Sequence, residues 1–325
     1  MYSGGTYIGG VSVPQIRELA EDSDLVINVG AIASDFNTGS WSGSLTSKKV
    51  VELHSDHTRV GYARYPGVAM RSILPRLSQQ FKVISSSHPK QFRNTEKFKS
   101  AIDAIYSNNL DAINNCIDLK SPITQDWFWP RFGKFFKEGD IILTETGTSS
   151  FGILDLTLPK KSTSLSQVLW GSIGWTGGAV LGAAIAAKKQ NRRCILFIGD
   201  GSLLLTIQEI ATLIRYDLKP IIVVLSNDGY EIERCIHGEN AKYNDIPHIN
   251  HQLLLNAFSP PPNSKQPRSE HSTLQVKTKT ELNDVLNSDN FSKATKLQLL
   301  EVILPRHDSP RALKLQASMS EKANA

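Results

Sequence analysis

The sequence predicts an α/β fold with parallel, doubly wound sheets, and three observations support this prediction. Two short apolar runs, residues 194–198 and 221–225, are rich in β-branched side chains, and each ends at a glycine-containing turn. Between them, apolar residues recur at helical spacing from Leu203 to Ile214. Buried strands joined by a helix are typical of a parallel sheet. We therefore expect both turns at one carboxyl edge of the sheet, where α/β folds bind ligands.

The two turns offer oxygen ligands for a hard cation. The turn at 199–201 reads GDG and brings the carboxylate of Asp200, and the turn at 226–229 reads SNDG and brings the amide oxygen of Asn227. Mg²⁺ takes about six oxygen ligands and shares them with phosphates and water. A helix that starts near Ser202 would direct its positive end at the same place, which suits an anion. The alternative is that both side chains only cap helices, but Asn227 follows the next strand, 27 positions after Asp200, and this favours a ligand site.

These residues resemble the diphosphate-binding motif of thiamine-diphosphate enzymes, and the fit is closest to the pyruvate decarboxylase family. The resemblance covers nearly the whole chain and includes VGAIASDFNTGS, ELHSDH, ETGTSSFGI, SQVLWGSIGW and IHGENAKYND. Ser226 departs from the motif, because most members carry a second Asn there. The resemblance implies thiamine diphosphate and Mg²⁺ as cofactors, and a thiamine-diphosphate-binding fold with a truncated middle domain.

The resemblance also assigns residues to the cofactor. It implies that Asp200, Asn227 and the carbonyl of Gly229 hold Mg²⁺, which grips the diphosphate. The carbonyl of Gly171 would accept a hydrogen bond from the 4′-amino group, and Ile173 would be the wedge that bends the cofactor between its two rings. The other implied cofactor-binding residues are Thr146, Thr148, Gly201, Ser202 and Ile232.

Glu233 is the catalytic residue that the resemblance assigns. It lies six residues past Asn227, so we expect it about one and a half turns into the next helix. The resemblance implies that it faces the substrate and acts in proton transfer. Without the resemblance, a solvent-exposed helix glutamate would be the preferred interpretation. Glu231 is expected to point elsewhere and to serve as a control position.

The resemblance implies a carbon–carbon lyase that decarboxylates a 2-oxo acid without oxidation, with pyruvate, giving acetaldehyde and CO₂, as the expected substrate. In the family, the activating glutamate and paired histidines lie in a pyrimidine-binding domain that acts on a cofactor held by the partner subunit. We expect the chain to lack this domain, to carry only the diphosphate half of the site and to be inactive alone. A homo- or hetero-oligomer would supply the other half. The alternative is a non-catalytic regulatory or partner protein that binds thiamine diphosphate.

Three segments are expected along the chain. Residues 1–84 resemble the truncated middle domain, and the polar, weakly helical residues 85–122 look like an interdomain linker. Residues 123–325 form the diphosphate-binding C-terminal domain, with a Pro-rich loop near 259–268. Periodicity predicts, in chain order, a helix at 16–21, a buried strand at 25–31, a strand at 50–53, a helix at 68–81, an amphipathic aromatic helix at 126–137, a strand at 140–144, a slim helix at 177–187, a strand at 297–304 and a polar helix or tail at 309–325.

Composition disfavours several classes of protein. The net charge of +5 is mild and the basic residues are scattered, which argues against nucleic-acid binding. No apolar run approaches the 18 or so residues of a membrane helix, and the N-terminus does not read as a signal peptide. The three cysteines are widely spaced without a CxxC motif, so we expect a reducing, cytoplasmic location.

Two further motifs are not interpreted as ligand sites. HSDH at 54–57 could bind zinc, but no further cluster with ligand spacing supports it. GSIGWTGG at 171–178 superficially resembles a dinucleotide fingerprint, but no strand is expected immediately before it and no acidic residue follows at the ribose-binding distance.

Overall fold

The computed structural model describes residues 5–45, 49–87, 95–266 and 268–324. It divides the chain into two compact units, Met1–Ile105 and Tyr106–Ala325. This division falls inside the segment expected to be a linker, and the three-segment organisation stays a prediction. The parts of the expected linker at 88–94 and of the Pro-rich loop at 267 lie outside the described residues.

The first unit contains a four-stranded sheet of mixed direction. Its elements are α1 (Pro14–Glu21), β1 (Val26–Val29), α2 (Asp35–Thr38), β2 (Val50–Leu53), β3 (His57–Val60), β4 (Ala63–Pro66) and α3 (Met70–Ser87). The strand order is β1-β2-β3-β4; β1 and β2 are parallel, whereas β3 and β4 form an antiparallel hairpin. The sequence predicts the parallel pair and misses the hairpin.

One expectation for this unit is wrong. The segment around β1 is not buried, because Leu25 and Val29 are exposed and the strand alternates between partly buried and exposed residues.

The HSDH motif begins directly after β2. The imidazole rings of His54 and His57 stack with centroids 4.4 Å apart. Their ring nitrogens lie 3.2 Å from the carboxylate of Glu52 and 2.7 Å from that of Asp56.

The second unit contains a six-stranded sheet in which all strands are parallel, in the order β6-β5-β7-β8-β10-β9. Its strands are β5 (Ile141–Thr144), β6 (Thr163–Ser166), β7 (Cys194–Gly199), β8 (Ile221–Ser226), β9 (His271–Val276) and β10 (Leu297–Ile303). Its helices are α5 (Gln125–Phe135), α6 (Thr148–Gly152), α7 (Trp175–Gln190), α8 (Asp200–Thr206), α9 (Glu209–Arg215), α10 (Glu231–His237), α11 (His251–Ala257), α12 (Lys279–Asn287), α13 (Asp289–Ser292) and α14 (Arg311–Asn324). The helix α4 (Thr95–Asn114) crosses the boundary between the two units.

The apolar strand residues divide between the two faces of this sheet. Ile195 and Phe197 of β7 pack into one buried cluster with α5 and α12, whereas Leu196 and Ile198 pack into a second cluster with α7 and α9. Side chains alternate between faces along a strand, so a continuous apolar run fills both clusters. The doubly wound α/β class predicted from the sequence is confirmed for this unit.

The order of the strands places a crevice beside β5. The chain moves from β5 to its neighbour β6 on one side and then crosses to β7 on the other side. The connections therefore leave β5 and β7 in opposite directions, and such switch points are where parallel α/β sheets bind ligands.

The aromatic helix α5 is not amphipathic as expected, because almost its whole surface is buried. Trp127, Phe128, Trp129 and Phe132 are all at most 4% exposed. Gly152 makes room for this packing, since a Cβ there would overlap the indole of Trp129. The aromatic residues of α5 pack in one buried cluster with residues of β7, β8 and α12, and only Asp126 and Lys134 of the helix are exposed.

The single amphipathic segment expected after residue 203 is two helices, α8 and α9, interrupted at residues 207–208. The polar C-terminal helix is present as α14. Within the described ranges, we find no helix with the length and apolar character needed to cross a bilayer.

Candidate functional site

A cavity of about 370 Å³ lies at the carboxyl ends of β5, β7 and β8. It is lined by Thr146, Gly147, Thr148, Ser149, Ile173, Gly199, Gly201, Ser202, Asn227, Gly229, Tyr230, Glu231 and Ile232. Eight of the ten cofactor-binding residues expected from the sequence are among these, and the other two, Gly171 and Asp200, lie directly behind them. The structure therefore brings together turns that are far apart in the sequence.

Asp200 joins the turn after β7 to the turn after β8. Its carboxylate accepts hydrogen bonds from the backbone N–H groups of Gly201 at 2.8 Å and of Asn227 at 3.0 Å. Asp200 is the first residue of α8 and is 3% exposed. Burial raises the pKa of Asp200, although the backbone N–H groups oppose this shift. Among the described residues, no cationic side chain lies within ion-pair distance of Asp200. A buried carboxylate of this kind is suited to binding a cation.

The turn after β8 depends on an unusual backbone. Asp228 and Gly229 both have positive φ, 61° and 128°, and a Cβ at Gly229 would overlap the carbonyl oxygen of Asn244. Tyr230 follows and packs on Gly201, where a Cβ would come within 2.7 Å of the ring. The two glycines are therefore needed for close packing between the two turns.

Arg234 binds the backbone of the same turn, and this role was not predicted from the sequence. The guanidinium is 1% exposed and donates to the carbonyl oxygens of Asn227 at 3.3 Å and Asp228 at 2.6 Å. It also lies 3.1 Å from the carboxylate of Asp245. The only sequence signal is a basic residue in a short helix, which is common on exposed helices.

The turn after β5 contributes hydroxyl groups and backbone N–H groups. Thr146 lines the cavity, and its Oγ1 atom is buried and has no hydrogen-bond partner among the described residues. Thr148 is the first residue of α6, and Ser149 is buried beside it. Buried hydroxyls in proteins are nearly always satisfied, so the Thr146 hydroxyl is available to a ligand.

Gly171 and Ile173 belong to the loop before α7. A Cβ built on Gly171, which has φ of 54°, would lie 3.5 Å from the Thr146 methyl group. Ile173 lines the cavity directly. Ile232 also lines the cavity, and its Cγ2 would be 3.9 Å from a Cβ on Gly147.

The two glutamates of α10 have different surroundings. Glu233 is the third residue of the helix, so the expectation of one and a half turns is wrong; its side chain is 35% exposed and lies 2.8 Å from His237 Nδ1. Glu231 is 4% exposed and lines the cavity. Its Oε1 atom accepts from the Ser309 hydroxyl at 2.8 Å, and its Oε2 lies 3.7 Å from Arg234 Nη1. Glu231 is therefore unsuitable as a neutral control position.

The donor set at the cavity fits Mg²⁺ better than zinc. No group of three or more His, Cys, Asp or Glu side chains able to hold a metal occurs among the described residues. The oxygens on offer at the two turns are the Asp200 carboxylate, the Asn227 amide and backbone carbonyls, and the Glu231 carboxylate also lines the cavity. Mg²⁺ completes such a set with phosphate oxygens and water. The unpartnered Thr146 hydroxyl and the N-termini of two helices add anion-binding groups.

Comparisons with known proteins agree with this geometry. Residues 145–258 match the family described as thiamine pyrophosphate enzyme, C-terminal TPP binding domain. A pyruvate decarboxylase from Kluyveromyces marxianus is 43% identical over 324 residues, which are 99% of this chain and 54% of that protein. Pyruvate decarboxylase isozyme 1 from Saccharomyces cerevisiae is 41% identical over the same shares of both chains. The resemblance to the C-terminal part of the pyruvate decarboxylase family is confirmed.

The chain spans about half the length of these curated relatives. A solved structure, the Rhodococcus jostii RHA1 thiamine diphosphate-dependent 4-hydroxybenzoylformate decarboxylase, superposes with a TM-score of 0.48 and 17% identity over 59% of this chain and 34% of that one. The family match and the pyruvate decarboxylase relatives imply thiamine diphosphate, also called thiamine pyrophosphate, with Mg²⁺ as the usual cofactors, as the sequence predicts.

Proposed function

We propose that the chain takes part in the thiamine-diphosphate- and Mg²⁺-dependent decarboxylation of a 2-oxo acid, pyruvate, and that it contributes the diphosphate half of the active site. One observation carries this proposal. The turns after β5, β7 and β8 converge on one cavity, where Asp200 is bonded to the N–H of Asn227 and the Thr146 hydroxyl is unpartnered among the described residues. An anionic ligand with a divalent cation is the chemistry that this set of groups recognises.

Asp200, the amide of Asn227 and the carbonyl of Gly229 would hold Mg²⁺. Thr148, Gly201 and Ser202 would bind the diphosphate through hydroxyl and backbone N–H groups at two helix N-termini. When bound, thiamine diphosphate supplies a thiazolium ring that accepts the electron pair released as CO₂ leaves.

The remaining residues would orient the ring end of the cofactor and handle protons. Gly171 would accept a hydrogen bond from the aminopyrimidine, and Ile173 and Ile232 would press on the rings. Glu233, which is half-exposed and paired with His237, would hold or donate a proton at the substrate. A proton transfer by a positioned side chain contributes about 10²- to 10⁴-fold to a rate.

A partner is part of the proposal. The residues after β6 expose a run of apolar side chains, with Val168 61%, Leu169 42% and Trp170 84% exposed. Contiguous exposed apolar surface is typical of interaction sites. We propose that a pyrimidine-binding domain from another subunit covers this region in the cytoplasm, and that it completes the substrate pocket.

The proposal is tested by measuring how thiamine diphosphate binds to the chain by calorimetry, with and without Mg²⁺. We expect Mg²⁺-dependent binding of thiamine diphosphate to the wild-type chain. Binding to Asp200→Asn should be at least tenfold weaker, because the neutral amide cannot replace the negative charge of the carboxylate that binds Mg²⁺. Asp289→Asn is the control, since it removes the same charge from an exposed surface side chain. Equal affinities for the wild type and Asp200→Asn would remove Asp200 from the metal site.

A further inference from the structure

We propose that Glu145 is a positioning residue that fixes the ring end of the cofactor cavity, separately from the diphosphate end. The proposal rests on the proposed function. Glu145 follows β5 and precedes Thr146, and it was not singled out in the sequence analysis. Its side chain joins three segments that surround the cavity.

The carboxylate of Glu145 accepts four hydrogen bonds. Its Oε1 accepts from the backbone N–H groups of Thr146 at 2.9 Å and Gly174 at 3.2 Å. Its Oε2 accepts from the N–H of Thr176 at 3.0 Å and from the Thr176 hydroxyl. The side chain thus ties the end of β5 to the loop before α7 and to the first turn of α7.

Glu145 is fully buried at 0% exposure, and among the described residues no cation lies within ion-pair distance of it. An isolated buried carboxylate is unfavourable unless hydrogen bonds satisfy it. Here the N-terminus of the 16-residue helix α7 takes the place of a cation, since Gly174 is its N-cap and Thr176 is in its first turn. The interaction therefore has a strict geometry, because three of the four donors are backbone N–H groups that cannot move independently.

The loop held by Glu145 carries the residues assigned to the cofactor rings. Gly171 and Ile173 lie just before Gly174, and Thr146 comes directly after Glu145 on the other side. Loss of the carboxylate would free the loop that carries Gly171 and Ile173 to move relative to the end of β5. The groups assigned to Mg²⁺ are held by different contacts, namely Asp200 to Asn227 and Arg234 to the turn after β8, and Gly201 and Ser202 of the diphosphate end lie on α8.

This separation gives a test with two ligands. Thiamine diphosphate contacts both ends of the cavity, whereas inorganic pyrophosphate with Mg²⁺ reaches only the diphosphate end. For Glu145→Gln we expect binding of thiamine diphosphate to weaken about tenfold or more, and binding of pyrophosphate with Mg²⁺ to change less than threefold. The amide can accept at one atom only, and its NH₂ group would oppose the N–H and hydroxyl donors of Thr176 that now face Oε2.

Glu301→Gln is the matched control, because Glu301 is also a buried carboxylate with several hydrogen bonds but does not line the cavity. We expect this variant to bind both ligands with the affinity of the wild type, even if its midpoint of thermal unfolding is lower. If Glu145→Gln weakened the binding of both ligands equally, or if Glu301→Gln weakened binding as Glu145→Gln does, the effect would be a general one on folding and the proposal would be overturned.

A second pair of variants tests the proposal even if Glu145→Gln does not fold. Thr176→Val removes one hydroxyl donor to Glu145, and Thr176→Ser keeps it, so we expect selective weakening of thiamine diphosphate in the first and near-normal binding in the second. Wild-type affinity in Thr176→Val and Glu145→Gln together would refute the positioning role. If the wild-type chain bound neither ligand, the proposed function would fail instead.

Discussion

Gly229 is constrained both by its backbone conformation and by close packing. Its φ of 128° is strained for any residue with a side chain, and a Cβ would overlap the carbonyl oxygen of Asn244. The same carbonyl oxygen accepts the N–H of Tyr230 at 3.0 Å. Gly229 is thus fixed both by its own backbone and by the neighbouring segment.

We predict that Gly229→Ala lowers the free energy of unfolding by about 3 kcal/mol and abolishes Mg²⁺-dependent binding of thiamine diphosphate. Gly178→Ala is the matched control, since Gly178 lies within α7 without a positive φ, and a methyl group added there would meet no neighbouring atom within 4 Å. We expect the control to be neutral or to raise stability by about 0.5–1 kcal/mol. Denaturant titration and calorimetry measure both effects, and a Gly229→Ala protein that binds normally would contradict the assignment of this turn.

The glutamates of α10 show what spacing alone could not predict at the scale of one residue. Asn227 to Glu233 reads as helical spacing, but residues 228 and 229 have positive φ and the helix begins only at Glu231. The start of the helix sets which side chain turns inward. Glu231 is therefore buried against Ser309, a contact between residues 78 positions apart that no local pattern encodes.

At the scale of elements, one buried pair of hydrogen-bonded side chains joins α11 to the central strand β10. His251 Nδ1 lies 2.7 Å from Glu301 Oε1, and the side-chain amides of Gln252 and Gln275 donate to Oε2 at 3.1 Å and 2.7 Å. Burial acts to raise the pKa of Glu301, but the hydrogen bonds from His251, Gln275 and Gln252 outweigh it and lower the pKa to about 2. The carboxylate is thus more stable ionised in the folded chain than in the unfolded chain.

This pair predicts an acid-dependent loss of stability. A lowered pKa contributes stability that is present above the unfolded value of 4.5 and is lost as the pH falls towards 2. Relative to Glu301→Gln, the wild type should lose about 2 kcal/mol between pH 7 and pH 3. Urea titrations of both proteins at several pH values measure the difference, and parallel pH profiles would contradict the prediction.

The elements that the sequence predicted and those it missed differ in their burial. The central strands β5, β7, β8 and β10 are apolar on both faces, and all four were expected. The missed strands β6 and β9 lie at the two edges of the sheet, and β3 and β4 form the hairpin. Edge strands need to bury only one face, so runs such as TSLS and HSTLQV carry too little apolar pattern to be distinguished from loops.

The candidate site was predictable to a similar extent. The residues in the glycine-containing turns came from the motif and its resemblance, because ligand chemistry restricts those residue types. Glu145, Arg234 and Tyr230 support the turns through contacts made only in the folded sheet. Their residue types are ordinary in any helix or strand, so the sequence offers no signal that separates them from surface positions.

At the scale of the whole molecule, we predict that turnover requires a second polypeptide. The experiment mixes the chain with a pyruvate decarboxylase whose own diphosphate site has been disabled. We expect the mixture to release acetaldehyde from pyruvate, because each partner supplies one half of a site. Glu233→Gln should cut this rate about 10²-fold while leaving thiamine diphosphate affinity unchanged, since a positioned proton donor acts on the reaction and not on cofactor binding. An acetaldehyde assay measures the rate.

Glu270→Gln is the control for that experiment, because Glu270 is exposed and lies outside the cavity. An unchanged rate in Glu233→Gln would remove this residue from the mechanism. Cofactor binding without any turnover in the mixture would instead favour the non-catalytic alternative, a regulatory or partner protein that binds thiamine diphosphate.

The parallel order of the sheet has a consequence for how the site comes into being. The turns that meet at the cavity follow strands that are neighbours in space, yet β5 and β7 are separated in the chain by β6 and the whole of α7. Parallel pairs form only after such long crossovers close, and contacts of this kind slow folding. The complete cavity therefore forms only after these crossovers have closed, and a ligand that binds the folded chain stabilises that finished fold.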